Sequence, residues 1–218
     1  MARQRKLKPD EIEEVFLRFQ NNDPAPRGEL YSVNNYTFLV AVALSAQATD
    51  IGVNKATRPL FDIVDTPTKM LELGENALID HIKTIGLYRT KAKNIMSMAQ
   101  SLIENHNGVV PNTRPELEAL AGVGRKTANV VLNNCFGQPT IAIDTHLFRV
   151  SNRTGMAFGK TPLAVELGLL KVIPDHFKLH AHHWMILHGR YICKARKPMC
   201  SKCLINDLCT FQKKELLD

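Results

Sequence analysis

Residues 120–132 read LAGVGRKTANVVL, and how this stretch is read decides the fold. Two glycines one residue apart run into Arg125, Lys126 and Thr127, and then into an apolar-periodic segment. Two nucleotide-binding readings fail on spacing. A phosphate-cradling loop needs glycine directly before its lysine, where this chain has Arg125. A dinucleotide fingerprint needs a third glycine, where this chain has Thr127. The stretch instead predicts two short helices joined by a hairpin. Pro115 to Leu120 forms the first, with Leu117 and Leu120 inward; Arg125 opens the second, with Thr127, Val130, Val131 and Asn134 at helical spacing. Between them, Gly122 and Gly124 tolerate positive φ and close approach of another backbone. Their amides beside a helix N-terminus can seat a phosphate oxygen, while Val123 plugs the hairpin into the core. The same residues also suit an ordinary glycine-rich link between packed helices.

The rest of the chain is also helical in pattern. Asp10 and Glu13 have capping-box spacing ahead of Ile12, Val15, Phe16 and Phe19. Tyr36 to Leu44 is apolar on every side and predicts a buried helix, which SAQATD, lacking turn residues, would continue. Thr66-Pro67 supplies a cap and a first-turn proline. Residues 89–105 predict an amphipathic helix with Ala92, Ile95, Met96, Ala99 and Leu102 on one side. Only TIAID at 140–144 is an ambiguous strand, so the predicted class is all-α.

The 218 residues carry a net charge of +7, which favours a polyanionic partner, nucleic acid before an acidic membrane surface. No run of about 18 apolar residues appears, and no apolar stretch follows the basic N-terminus. These features predict a cytoplasmic, nucleoid-associated protein with neither a membrane partner nor a targeting signal. Four of five cysteines, Cys193, Cys200, Cys203 and Cys209, crowd near the C-terminus with gaps of six, two and five residues. In a reducing compartment such a set reads as a metal site rather than a disulfide framework. On spacing alone it suits a zinc ion or an iron–sulfur cube. Cys135 lies at an apolar phase and reads as a buried thiol; His176, His180, His182, His183 and His188 read as packing residues.

Eighteen residues after Lys126 comes Asp144, within AIDTHLFRVSNRTG. LAGVGRKTANVV, IDTHLFRVSNRTG, LSAQATD at 44–50 and the cysteine tail together resemble the helix–hairpin–helix superfamily of base-excision DNA glycosylases that carry a [4Fe–4S] cluster. The resemblance covers nearly the whole chain. It implies a six-helix domain over 28–138 ending in the hairpin, and a cluster domain from 1–27 plus 139–218. Duplex DNA with a damaged base or abasic site would lie in a cleft, Lys126 on one wall and Asp144 on the other. The hairpin, Gly122 through Arg125, would grip the DNA backbone without reading sequence. Gln47 and Leu87 would enter the base stack where the damaged nucleotide leaves it, Leu87 flanked by Lys83, Arg89, Lys91 and Lys93. Cys193, Cys200, Cys203 and Cys209 would hold the cluster, and Lys194, Arg196 and Lys197 would present cations to phosphates. Relatives usually have proline at the Ala121 position; alanine frees the turn slightly and leaves both glycines in place.

The resemblance implies that Lys126 stands at the position of the nucleophile at C1′ and Asp144 at that of the carboxylate that stabilises developing positive charge. The expected activity is bifunctional: release of oxidised pyrimidines, then cutting at the abasic site by β-elimination. A non-catalytic DNA-binding module and a lyase for another lesion, such as ultraviolet dimers, are the competing expectations. Lys126 separates this chain from the adenine-removing branch, which lacks it and adds a further C-terminal domain. The chain, ending nine residues after Cys209, is expected to act as a monomer. A lysine amine is almost wholly protonated at neutral pH. The N-terminus of its helix and Arg125 disfavour that charge, whereas Asp144 favours it. His146, two residues after Asp144, could position the carboxylate.

Overall fold

The computed structural model describes residues 4–214. Among these, every regular element is helical. In chain order they are α1 (Pro9–Asn22), α2 (Asn35–Leu44), α3 (Asp50–Phe61), α4 (Pro67–Leu73), α5 (Glu75–Ile82), α6 (Tyr88–His106), α7 (Arg114–Glu118), α8 (Arg125–Phe136), α9 (Thr145–Thr154), α10 (Pro162–Val172) and α11 (Asp175–Tyr191). A 3-10 turn follows at Cys200–Lys202. Segment 140–144 forms no strand. No helix among the described residues is long and apolar enough to cross a membrane. The chain divides into two compact units, residues 29–138, and residues 1–28 with 139–218.

In the unit of residues 29–138, α2 is the buried helix its composition demands. Leu39, Val40, Ala41 and Leu44 are fully enclosed, and the helix packs on α3, α6 and α8. Its start is fixed by reciprocal capping: Thr37 N–H donates to Asn34 Oδ1 at 2.9 Å, and Asn34 N–H donates to Thr37 Oγ1 at 3.0 Å. Its end departs from the sequence expectation, because the helix stops at Leu44 instead of running into SAQATD. The Ser45 hydroxyl donates back to the Val42 carbonyl at 2.8 Å, and Gln47 turns into the left-handed region at φ 55°. The Leu44 carbonyl accepts a hydrogen bond from Lys91 Nζ at 2.9 Å, a donor from α6 that no local pattern announces. On α6 itself Met98, not Met96, is enclosed with Ala92, Ile95, Ala99 and Leu102.

In the other unit, α1 begins at Pro9. The expected Asp10–Glu13 box is replaced by Glu11, whose carboxylate accepts the Lys8 N–H at 2.8 Å and pairs with Arg5 at 2.7 Å. Proline at the first helical position shifts the frame by two residues. The Arg5 hydrogen bond and the Lys8 amide bring the Glu11 carboxyl down to about 2. Phe16 stacks on Phe177 with centroids 5.8 Å apart, inside a core shared by α1, α9, α10 and α11.

The two ends of the chain meet over Gly155, the left-handed C-cap of α9 (φ 87°). Leu7 N–H donates to the Gly155 carbonyl at 2.9 Å, and the Thr210 hydroxyl donates to the Arg5 carbonyl at 3.0 Å. A Cβ at position 155 would stand 2.7 Å from the Arg5 carbonyl oxygen. Gly155→Ala is therefore expected to cost about 1–3 kcal/mol through backbone strain and overpacking, read as a lower denaturant midpoint. An unchanged midpoint would contradict this junction.

Candidate active site

The hairpin assigns different jobs to its two glycines. Gly122 has φ 78°, and a Cβ there would stand 3.1 Å from both Cβ and Nδ2 of Asn94 on α6. It is glycine for conformation and for close approach. Gly124 is extended (φ −99°), a backbone any residue adopts, and nothing lies within 4 Å of where its Cβ would be. Here the missing side chain leaves open space before the N-terminus of α8, whose cap supplies no side-chain acceptor. Val123 is buried in the core with Leu117, Leu120, Ala128 and Val131. The inner face of α8 is Ala128, Val131 and Leu132 with Asn129 and Asn133. Asn134 is exposed and Thr127 half-buried, and the helix packs on α2 and α7.

Lys126, on the first turn of α8, is exposed. Gln47 is exposed too, with φ 55°, and Leu87 is 62% exposed at φ 59°, immediately before α6. Lys83, Arg89 and Lys93 are exposed, but Lys91 is buried. The expectation that Lys91 flanks Leu87 as a surface cation is corrected: its ammonium faces inward to Leu44.

In the unit containing α9, Asp144 is the N-cap of that helix. One carboxylate oxygen accepts the backbone N–H of His146 and of Leu147, each at 2.8 Å, and the other pairs with His146 Nδ1 at 2.9 Å. The carboxylate is thus fixed in orientation at the positive end of a helix. At Gly189, α11 passes so close to α9 that a Cβ would stand 2.8 Å from His146 Cβ.

Cys193, Cys200, Cys203 and Cys209 are half-buried free thiols that line one cavity with Arg153, His188, Met199 and Ile205. Among the described residues no three His, Cys, Asp or Glu side chains converge as the ligand group of a single ion. Burial pushes the Cys203 thiol up to about 11 and raises Cys209 as well, with the neighbouring cysteines adding to both. A set of thiolates in such a place needs cations among them, and four soft sulfur donors round one cavity fit an iron–sulfur group.

The loop between the first two cysteines is held from α9. Arg149 Nε donates to the Cys193 carbonyl at 2.9 Å, and Arg153 donates to the carbonyls of Lys194 and Ala195 at 2.6 and 2.9 Å. Lys194, Arg196 and Lys197 lie exposed on this loop. Sequence reasoning missed Arg149 and Arg153, whose i,i+4 spacing reads as a solvated helix face. Cys135 is half-buried, its thiol pushed up to about 12 by burial. The α11 histidines pack on rings, His180 on Trp184 and His188 on Phe19.

An all-helical chain with a lysine-bearing helix opened by a glycine hairpin, and a helix-capping aspartate further along, defines a DNA-repair class. Residues 40–175 match the model of the HhH-GPD superfamily of base excision DNA repair proteins. The chain is 57% identical to endonuclease III of Haemophilus influenzae, over 92% of this chain and 95% of that protein. It is 56% identical to endonuclease III of Escherichia coli over the same shares. A structure of a trapped endonuclease III–DNA covalent intermediate superposes with a TM-score of 0.87 at 44% identity, covering 93% of this chain and 96% of that one. The chain belongs to the endonuclease III family.

Capping and charge separate cleanly at Asp144. Asparagine caps a helix about as well as aspartate. Asp144→Asn is expected to change stability by no more than about 0.5 kcal/mol while lowering base release on the order of a hundredfold or more. Melting and single-turnover base release check this; equal losses of both would make Asp144 a structural cap only.

Proposed function

We propose that this chain removes oxidised pyrimidines from duplex DNA, with Lys126 as nucleophile and Asp144 as the carboxylate that offsets charge at C1′. It is a base-excision repair DNA glycosylase and abasic-site lyase, and its partner is double-stranded DNA carrying a damaged base. The observation that carries the assignment of Lys126 is its position. It is an exposed amine on the first turn of α8, beside a glycine-opened helix N-terminus that offers space for a phosphate.

The chemistry balances through that amine. The Lys126 nitrogen, once unprotonated, bonds to C1′ as the glycosidic bond breaks, and the base leaves with the bonding pair and takes up a proton. Ring opening gives an imine between nitrogen and C1′. The imine acidifies the C2′ proton; its removal expels the 3′ phosphate and cuts the strand. Asp144, held by two amides and His146, presents a fixed negative charge for the cationic sugar.

Gly122, Val123, Gly124 and Arg125 are proposed to seat one phosphate, and Lys194, Arg196 and Lys197 another. Gln47 and Leu87 are proposed to fill the space left by the extruded nucleotide. Cys193, Cys200, Cys203 and Cys209 would hold a [4Fe–4S] cluster, supported by their common cavity and by the two α9 arginines that fix the loop. When bound, the cluster would brace the cationic loop.

On a duplex with one oxidised pyrimidine, Lys126→Gln is expected to abolish base release and strand cutting while keeping DNA affinity within about threefold. Retained strand cutting would remove Lys126 from the mechanism. Protein purified without oxygen is expected to contain iron and acid-labile sulfide in equal amounts, both lost in Cys203→Ala. Zinc in place of iron would overturn the cluster assignment.

A further inference from the structure

Lys91 is a lysine with almost no access to water, 7% exposed. Among the described residues its ammonium meets one acceptor, the Leu44 carbonyl at 2.9 Å, and no carboxylate. Burial lowers its pKa, so the enclosure works against the charge. A cation kept there needs a reason; its bond to Leu44 supplies one, and two further contacts place it between two turns.

The first is at the end of α2. That helix has no basic residue in its last turn. Lys91 supplies the positive group from α6 at the helix's negative end. Ser45 to Ala48 follows at once, a turn closed by Ala48 N–H on the Ser45 carbonyl at 3.0 Å, with Gln47 in the left-handed region that normally calls for glycine. The second is at the start of α6. Lys91 N–H donates to the Leu87 carbonyl at 3.0 Å, the first hydrogen bond of the helix that Leu87 opens, again left-handed. The third is proximity: the two turns run side by side, and a Cβ on Gly86 would lie 3.9 Å from the Gln47 carbonyl oxygen. A non-glycine residue in this conformation persists only where its surroundings over-determine it. Lys91 therefore stands between the two turns: its side chain holds the end of α2, and its backbone lies in the first turn of the helix that Leu87 opens.

We infer that Lys91 is a positioning residue that locks the Gln47 and Leu87 turns into one unit, so that both side chains enter the base stack together. The inference rests on the proposed stack-filling roles of Gln47 and Leu87. Lys91 touches no reacting atom. It acts on the step that extrudes the damaged nucleotide, before Lys126 has a sugar to attack.

The test compares Lys91→Met, which keeps the apolar stem and loses the ammonium, with wild-type protein on two substrates. One is a duplex with an oxidised pyrimidine opposite a fluorescent adenine analogue that brightens when unstacked. The other is single-stranded DNA with a preformed abasic site, where there is no paired stack to hold open. Single-turnover base release on the duplex is expected to fall on the order of tenfold to a hundredfold, with the brightening reduced. Strand cutting of the single strand is expected to stay within about twofold.

Equal loss on both substrates, or no loss on either, overturns the positioning role. If Lys91→Met does not fold, Lys91→Arg tests the same split, because it keeps a cation but changes its reach to Leu44. Gln47→Ala and Leu87→Ala serve as controls for the premise. If both release the base as wild type does, the stack-filling reading fails, whatever Lys91→Met does.

Discussion

The hairpin is held by its packing against the core and α6. Val123 is sunk in the core, and Gly122 crosses Asn94 in a left-handed conformation where a Cβ would be crowded. With those two residues fixed, the next residue must emerge at the surface, so Gly124 opens α8 facing empty space and Lys126 follows on its outer turn. The exposed position of Lys126, the proposed nucleophile, thus follows from how the preceding turn is packed. The same contact ties the hairpin to α6, which Leu87 caps and which carries Lys91 and Asn94 one turn apart. The first two turns of one helix thus follow the Leu87 turn, hold the end of α2 and wall off Gly122.

In the other unit, α9 has a comparable double duty. Its first residue is capped by Asp144, and its later turns carry Arg149 and Arg153, which hold the backbone of the cysteine loop. A carboxylate that caps a helix cannot swing without costing the helix its cap, about 1 kcal/mol. In the proposed mechanism, the chemistry would borrow an orientation that the helix already requires. The cationic loop is fixed by carbonyl acceptors and not by its own side chains, which leaves Lys194, Arg196 and Lys197 exposed.

What could be read from the sequence was what is local. The glycine hairpin, the apolar α2 segment, the Thr66-Pro67 cap and the all-α class depend on neighbours within a turn or two, and residues 120–132 carried the family resemblance with Asp144 and the cysteine spacing. What escaped depends on partners distant in the chain. The end of α2 is fixed by a lysine 47 residues later, and that lysine looked like one more surface cation in a basic stretch. On α8, Asn129 and Asn133 share the buried face with Ala128, Val131 and Leu132, and polar residues give that face no hydrophobic signal. At α1 the proline at position 9 outweighed the Asp10–Glu13 spacing.

The most direct measurement is to reduce the reaction with borohydride on duplex DNA bearing one oxidised pyrimidine, digest the protein and locate the sugar-modified residue by mass spectrometry. The modification is expected on Lys126 alone. A sugar on any other amine, or ongoing base release with no trapped adduct, would contradict Lys126 as the nucleophile.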